Sequence, residues 1–240
     1  MISKKAAVIL ALSALLLMLA PAALAGTTTY SKIEGISTGW GGCASKACAG
    51  GGGSGSYSMK RGVTSPALDG SSAQFSIAPS SQFYNGLWWR HMTTNSAVTH
   101  FTMDMYQYMK SPGASQAIEY AANQLISGKW YKFSTQCSFS GGVWRVWDSA
   151  NQHWSSTSLP CTRPAANTWQ HLTFEYARAN GKAVFVAITI NGAKHYINKS
   201  FGPQSKSGTN GDIGIHYQLD GNASKTAYAA WVDKWSLTIW

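Results

Sequence analysis

The stretch Trp144 to Trp154, WRVWDSANQHW, places three tryptophans, Arg145 and Asp148 close together. Indole faces stack on apolar C–H faces, while guanidinium, amide and carboxylate groups take hydroxyls or charges. Glu119 stands in an otherwise apolar run, Ala117 to Ala122. A carboxylate there is costly unless it is used or paired, and a salt bridge to Arg145 or Lys129 explains it equally well. His216 and Gln218 are two residues apart in Ile215-His216-Tyr217-Gln218, so a strand presents both on one face. Trp144 and Trp147 are three apart and fall on opposite faces, as do the neighbours Trp88 and Trp89. Trp147 sits close to a turn, where exposure is favoured. These residue types suit the gripping of a sugar chain. The candidate set is Glu119, Asn123, Arg145, Trp147 and Gln218, followed by His216 and Trp89. The alternative for the 11 tryptophans is that most fill a core, since aromatics dominate sandwich packing.

Strands must position this set. The two aromatic arms around Ser149-Ala150-Asn151 read as a β-hairpin, with Cys137 and Cys161 roughly equidistant from its turn. Short alternating runs recur at Gln74–Ile77, Leu87–His91, Val98–Met109, Ala117–Gln124, Lys129–Thr135, Trp169–Ala177, Ala183–Ile190, Asp212–Leu219 and Tyr228–Trp240. Asn191-Gly192 is the strongest hairpin turn, and a two-residue turn there pairs Ile188 with His195 and Val186 with Ile197. A first strand is expected around Tyr30 to Ile36. No useful 3.6-residue periodicity occurs, and turn signals recur every 8–12 residues. The expected fold is all-β: one two-sheet antiparallel β-sandwich over residues 26–240.

Lys4 and Lys5 followed by the apolar run Ala6–Leu19 and then Ala23-Leu24-Ala25 read as a secretory signal peptide over residues 1–25. The run is short for a membrane span, so no membrane insertion is expected. The short, lysine-led signal implies a bacterial protein that is secreted, periplasmic or on the cell surface. In that compartment disulfides persist. Cys43 with Cys48 and Cys137 with Cys161 are the expected pairs, because the C-x4-C spacing has no second close cysteine or histidine pair for a metal. The formal net charge is +10, but its basic residues are scattered and only Lys60-Arg61 are adjacent in the mature chain. No nucleic-acid partner is expected, and the charge suits a solvated surface or an acidic polysaccharide. Oligomeric state has no sequence signal.

Several segments together resemble the concanavalin A-like lectin/glucanase superfamily, a jelly roll with laminin-G-like members. They are Pro66-Ala67-Leu68-Asp69-Gly70 with Ala73-Gln74-Phe75, then Thr168-Trp169-Gln170-His171-Leu172 with Ala187-Ile188-Thr189-Ile190-Asn191-Gly192, and the closing Ala230-Trp231-Val232-Asp233-Lys234-Trp235. The resemblance implies a concave ligand-binding sheet and a last strand that returns beside the first. Retaining glucanases of this fold carry Glu-x-Asp-x-x-Glu. Here Glu119-Tyr120-Ala121-Ala122-Asn123-Gln124 keeps the first glutamate, while Ala121 and Gln124 replace the other acids. A glutamine cannot exchange the catalytic proton, so no intact glucanase motif is present. Asp104, in Thr102-Met103-Asp104-Met105-Tyr106-Gln107, is the candidate partner from another strand. Lyases of the fold neutralise a uronate carboxylate and remove a proton with Tyr or His. His216, Gln218 and Arg145 are candidates for that work, with Arg90, His100 and Asn123 able to join them. Calcium is common in the superfamily, and Glu34 and Asp233 from terminal strands are candidate ligands.

The reading is therefore a non-catalytic, lectin-like protein binding a polysaccharide, with no cofactor beyond a structural Ca2+. A polysaccharide-active enzyme of the same fold is the alternative, lyase before glycoside hydrolase, with Glu119, Arg145, His216 and Asp104 as its candidate residues. An extracellular structural or adhesive protein is the third reading.

Overall fold

Alternation of large apolar and polar residues imposes strands, and β6 shows it in pure form. Phe101, Met103, Met105 and Met109 are fully buried while Thr102, Asp104, Tyr106 and Tyr108 face out. A computed structural model describes residues 26–240, so the expected signal peptide lies outside the described residues. The strands are β1 (Thr28–Tyr30), β2 (Trp40–Ala44), β3 (Gly55–Val63), β4 (Ser72–Pro79), β5 (Asn85–Thr94), β6 (His100–Met109), β7 (Ser115–Ile126) and β8 (Lys129–Ser138). Then come β9 (Val143–Asp148), β10 (His153–Pro160), β11 (Thr168–Ala179), β12 (Lys182–Ile190), β13 (Ala193–Phe201), β14 (Gln204–Ser205), β15 (Asp212–Gly221) and β16 (Tyr228–Ile239). Helix is confined to single turns, among them α1 (Ser45–Cys48).

Two antiparallel eight-stranded sheets result. One runs β13-β12-β11-β6-β16-β4-β3 with β1 added to β16, and the other runs β10-β9-β8-β7-β15-β5-β2 with β14 added to β8. This is the expected two-sheet β-sandwich. The last strand does return beside the first, Thr28 opposite Ile239. Aromatic contacts lock the sheets face to face: Phe75 meets Tyr217 at 4.9 Å, Tyr120 meets Phe174 at 4.8 Å, and Phe101 meets Phe133 at 5.1 Å between ring centroids. Each such pair adds about 0.5–1.5 kcal/mol beyond the area it buries. The hydroxyls of Tyr120 and Tyr217 enter this core and both donate to Gln107 Oε1, at 2.8 and 2.7 Å.

The tryptophan hairpin forms as β9 and β10, with Trp147 opposite Trp154. Both expected cysteine pairs come together, with Cα–Cα distances of 6.1 Å for Cys43–Cys48 and 5.6 Å for Cys137–Cys161. The Asn191-Gly192 turn pairs Ile188 with His195, but a bulge between Phe185 and Ala187 breaks the register before Val186 reaches Ile197. The first strand ends at Tyr30, and a 3-10 turn over Ile33–Gly35 follows in place of a strand.

The second sheet departs from simple in–out alternation. Along β7 and β15 nearly every residue is buried, on both faces. The inner face packs on the first sheet. The outer face is covered by the segment following α1, whose Ala49 carbonyl accepts from Asn85 Nδ2 at 3.1 Å and Gln218 Nε2 at 3.0 Å. Polar groups are enclosed beneath that segment.

Candidate functional site

Register on the second sheet gathers the candidates. Glu119 on β7 lies opposite Gln218 on β15 and opposite Gln136 on β8, which in turn lies opposite Arg145 on β9. Period-two alternation then adds His216 and Asp220 from β15, Lys132 and Ser134 from β8, and Trp147 from β9. A cleft of about 340 Å³ is lined by Glu119, Lys132, Gln136, Trp147, Trp154, His216, Gln218 and Asp220, with Cys48–Gly51 over them. An adjoining cleft of about 450 Å³ is lined by Trp89, Arg90, His91, Asn123, Trp130, Lys206 and Asp212, and shares Cys48, Leu87 and His216 with the first.

Glu119 is almost wholly buried at 5% exposure. Its Oε1 lies 2.9 Å from His216 Nε2 and 3.8 Å from Lys132 Nζ, and His216 Nε2 is 3.2 Å from Ser134 Oγ. Burial alone would push the carboxyl up. The Lys132 charge, the hydrogen bond from His216 and the Ser134 hydroxyl outweigh it and hold the group at about 2. Burial pushes the His216 imidazole down, against the opposing pull of Glu119, which favours a neutral ring. The result is an ionised acceptor held by fixed donors.

Asp220 is the opposite case. Its Oδ1 accepts from Gln218 Nε2 at 2.7 Å and its Oδ2 from Gln136 Nε2 at 3.1 Å. Burial first, and then the negative charge of Glu119, push it up to about 8, against the pull of Gln218, Arg145 and Gln136. One face of one sheet therefore holds a carboxylate and a carboxylic acid side by side. Arg145 donates to Gln136 Oε1, which links Asp220 to β9.

The tryptophans divide as strand geometry requires. Trp144 and Trp88 are core, 2% and 3% exposed, whereas Trp89 is 42% exposed and Trp147 and Trp154 are half-buried with ring centroids 5.2 Å apart. Gly41, opposite Trp89 on β2, gives the Trp89 ring its place, because a Cβ there would collide with the indole. The glycine is a signal in the sequence, but only the strand pairing reveals its use.

Glu119, Trp147, His216 and Gln218 share one cleft, and Arg145 is bonded to Gln136 and lies beside Trp154, two residues of its lining; Asn123 and Trp89 line the other, which His216 also borders. Asp104 is a correction. It lies on the outer face of the first sheet, bonded to His171 Nε2 at 2.8 Å and Thr173 Oγ1 at 2.5 Å, so it cannot partner Glu119 across the core. His100, also on β6, is excluded from the site for the same reason. The cation beside Glu119 is Lys132, in place of Arg145 or Lys129. Lys132, Ser134, Gln136, Asp220, Trp130, Trp154 and Lys206 were not among the residues singled out. Alternation along β8 carries the first three, but nothing local marks which face of β8 is the ligand side.

Glu34 and Asp233 do meet. With Asp69 they bring carboxylate oxygens within 4.8 Å of one another, Glu34 and Asp233 buried and Asp69 exposed. Glu34 Oε2 accepts the Trp235 N–H at 2.9 Å, Asp233 Oδ2 accepts the Leu68 N–H at 2.5 Å, and Lys32 pairs with Asp69 at 3.1 Å. Burial, with Asp233 and Asp69 adding repulsion, raises Glu34 to about 7. Clustered hard oxygens of that kind suit Ca2+.

No protein-family model matches the chain, and no curated protein matches it in sequence. Solved structures do match in fold. An endo-β-1,4-glucuronan lyase from the fungus Trichoderma reesei is 10% identical, over 78% of this chain and 89% of that one, with a TM-score of 0.51. The cellulose-induced protein Cip1 is 12% identical over 83% and 90%, with a TM-score of 0.48. A structure described for promiscuous carbohydrate-binding modules of the β-sandwich superfamily is 9% identical, with a TM-score of 0.45. It matches 85% of this chain, which spans only 59% of that one. At such identity the glucuronan lyase likeness establishes the sandwich fold.

Proposed function

We propose that the protein is a secreted polysaccharide-binding module that holds its ligand in the adjoining clefts of the second sheet without cleaving it. One observation carries this reading: Trp89, Trp130, Trp147 and Trp154 line the clefts together with the polar groups of Glu119, Asn123, His216 and Gln218. Flat apolar rings beside fixed donors and acceptors are what a sugar chain needs, since its rings offer C–H faces and its rims hydroxyls. Cleavage by a two-carboxyl mechanism is disfavoured by what the acids already do. Glu119 spends its charge on Lys132 and His216, and both oxygens of Asp220 are taken by glutamine amides. Glu34, Asp69 and Asp233 are proposed to hold a structural Ca2+ beside a register shift midway along the first sheet's last strand, and none of the three lines the clefts.

A second reading, polysaccharide lyase, is favoured by one feature: the buried neutral His216 beside Glu119, a ring able to accept a proton, with Gln218 near it to meet an acidic sugar. Tyr120 and Tyr217, which flank these residues in sequence, face the core and are unavailable as bases.

The test incubates residues 26–240 with a panel of neutral and acidic polysaccharides. It reads retention on the polymer, released reducing ends and absorbance from unsaturated uronates in the same tubes. Retention without products, weakened about tenfold or more by Trp89→Ala (~1.4 kcal/mol), supports the binding module. Unsaturated products abolished by His216→Ala establish the lyase. Reducing ends without unsaturation refute both.

A further inference from the structure

Cations stand over the rings of three cleft tryptophans. Lys206 Nζ stands 3.8 Å from the Trp130 ring centroid. Lys132 Nζ lies 5.7 Å from Trp130 and 5.1 Å from Trp147, and the Arg145 guanidinium carbon lies 5.9 Å from Trp154. An ammonium over an indole face is attracted by the ring quadrupole and held there. Those rings have less free face for a sugar than exposed Trp89, and their effect is to fix a row of positive charges along the clefts. Arg90 adds a fourth cation to the lining.

Opposing charge is scarce. Among the described residues Arg90, Arg145 and Lys206 are paired with no carboxylate. Lys132 faces Glu119, and Asp212 is hydrogen-bonded to His91, so these two carboxylates stand against four cations. Asp220 is held largely protonated by burial and by Glu119, so it neutralises little. A partly enclosed cleft with surplus charge of one sign focuses its field on whatever enters.

We propose that the clefts are built for an acidic polysaccharide, whose anionic groups seat on Lys206, Lys132, Arg145 and Arg90. The inference rests on the glycan-binding reading above and adds the ligand's charge. It also gives the tryptophans a second role, as supports that hold the cations in place.

The test must separate the cleft from the general basicity of the chain. Residues 26–240 are run in affinity gels against alginate, polygalacturonate and heparin, each beside its carboxyl-reduced or desulfated counterpart. Retention at least tenfold stronger on the acidic forms, and largely lost in 1 M NaCl where the screening length falls to ~3 Å, is expected. Carboxylated against sulfated polymers show which anion is taken. The double variant Lys206→Gln/Arg90→Gln should lose tenfold or more. Lys60→Gln/Lys182→Gln removes the same charge at exposed positions on the other sheet and should change retention less than twofold. Equal losses in the two variants overturn the inference. Equal retention of acidic and neutral forms overturns it too and leaves glycan binding standing. No retention on any polymer by folded protein overturns both.

Discussion

Asp220→Asn should reverse part of the pH dependence of stability. The folded-state carboxyl is pushed up to about 8 from its ordinary value of 3.8, first by burial and then by Glu119. A raised acid pKa contributes stability that is fully present below the unfolded value and is lost as pH rises through the folded one. The shift is about four units, and at 1.36 kcal/mol per unit the loss between pH 4 and 8 is on the order of 5 kcal/mol. Roughly three quarters of it has occurred by pH 7. Asparagine does not ionise, so it escapes this loss. It also places an amide N–H against a glutamine donor, which costs about 1–3 kcal/mol at every pH. The readout is therefore the difference in Tm between wild type and variant across pH 3–9, since the constant cost shifts its level and leaves its slope. For a chain of this size each kcal/mol moves Tm by about 2–4 °C. Wild type should lose about 10–20 °C relative to Asp220→Asn between pH 4 and 8. Glu119 works with the opposite sign: held at about 2 against 4.5, its contribution is present above pH 4.5 and disappears as pH falls toward 2. Glu119→Gln should flatten the fall in stability as pH drops from 4.5 toward 2. A wild-type-minus-variant difference that stays flat from pH 4 to 8 would refute the assignment of Asp220 as a protonated acid.

Two other outcomes follow from the architecture. The double variant Cys137→Ala/Cys161→Ala opens a loop with a sequence separation of 24 and should cost about 3 kcal/mol, read as a lower urea midpoint. Added Ca2+ should raise Tm and Asp69→Asn should abolish that rise without altering polymer retention, because the Glu34–Asp69–Asp233 cluster does not line the clefts.

What could be read from the chain was whatever strand alternation carries. Glu119 declared itself because a carboxylate inside an apolar strand needs a reason, and His216 and Gln218 because two-residue spacing puts them on one face. The sandwich itself followed from turn spacing and the absence of helical periodicity, and both cysteine pairs from their positions beside a turn and a hairpin. Asp104 looked equivalent to Glu119 as an isolated acid in an alternating strand, yet β6 belongs to the other sheet. Sheet membership depends on long-range pairing, on which alternation says nothing. Asp220 was invisible for a related reason. At the end of β15, in Leu219-Asp220-Gly221, it reads as a turn residue. Only the register against β7 brings its charge within reach of Glu119, and only the covering segment with Ala49 removes it from water. The segment that follows α1 is thus what turns a strand-end acid into a buried one. The chemistry of the site depends on that cover as much as on the residues beneath it. Removing the Ala49 carbonyl's contacts to Asn85 and Gln218 should return Asp220 toward an ordinary, ionised carboxylate and leave Glu119 with a charged neighbour. A cleft whose surplus cations select an acidic chain would then lose part of that surplus without any change to a residue that touches the ligand.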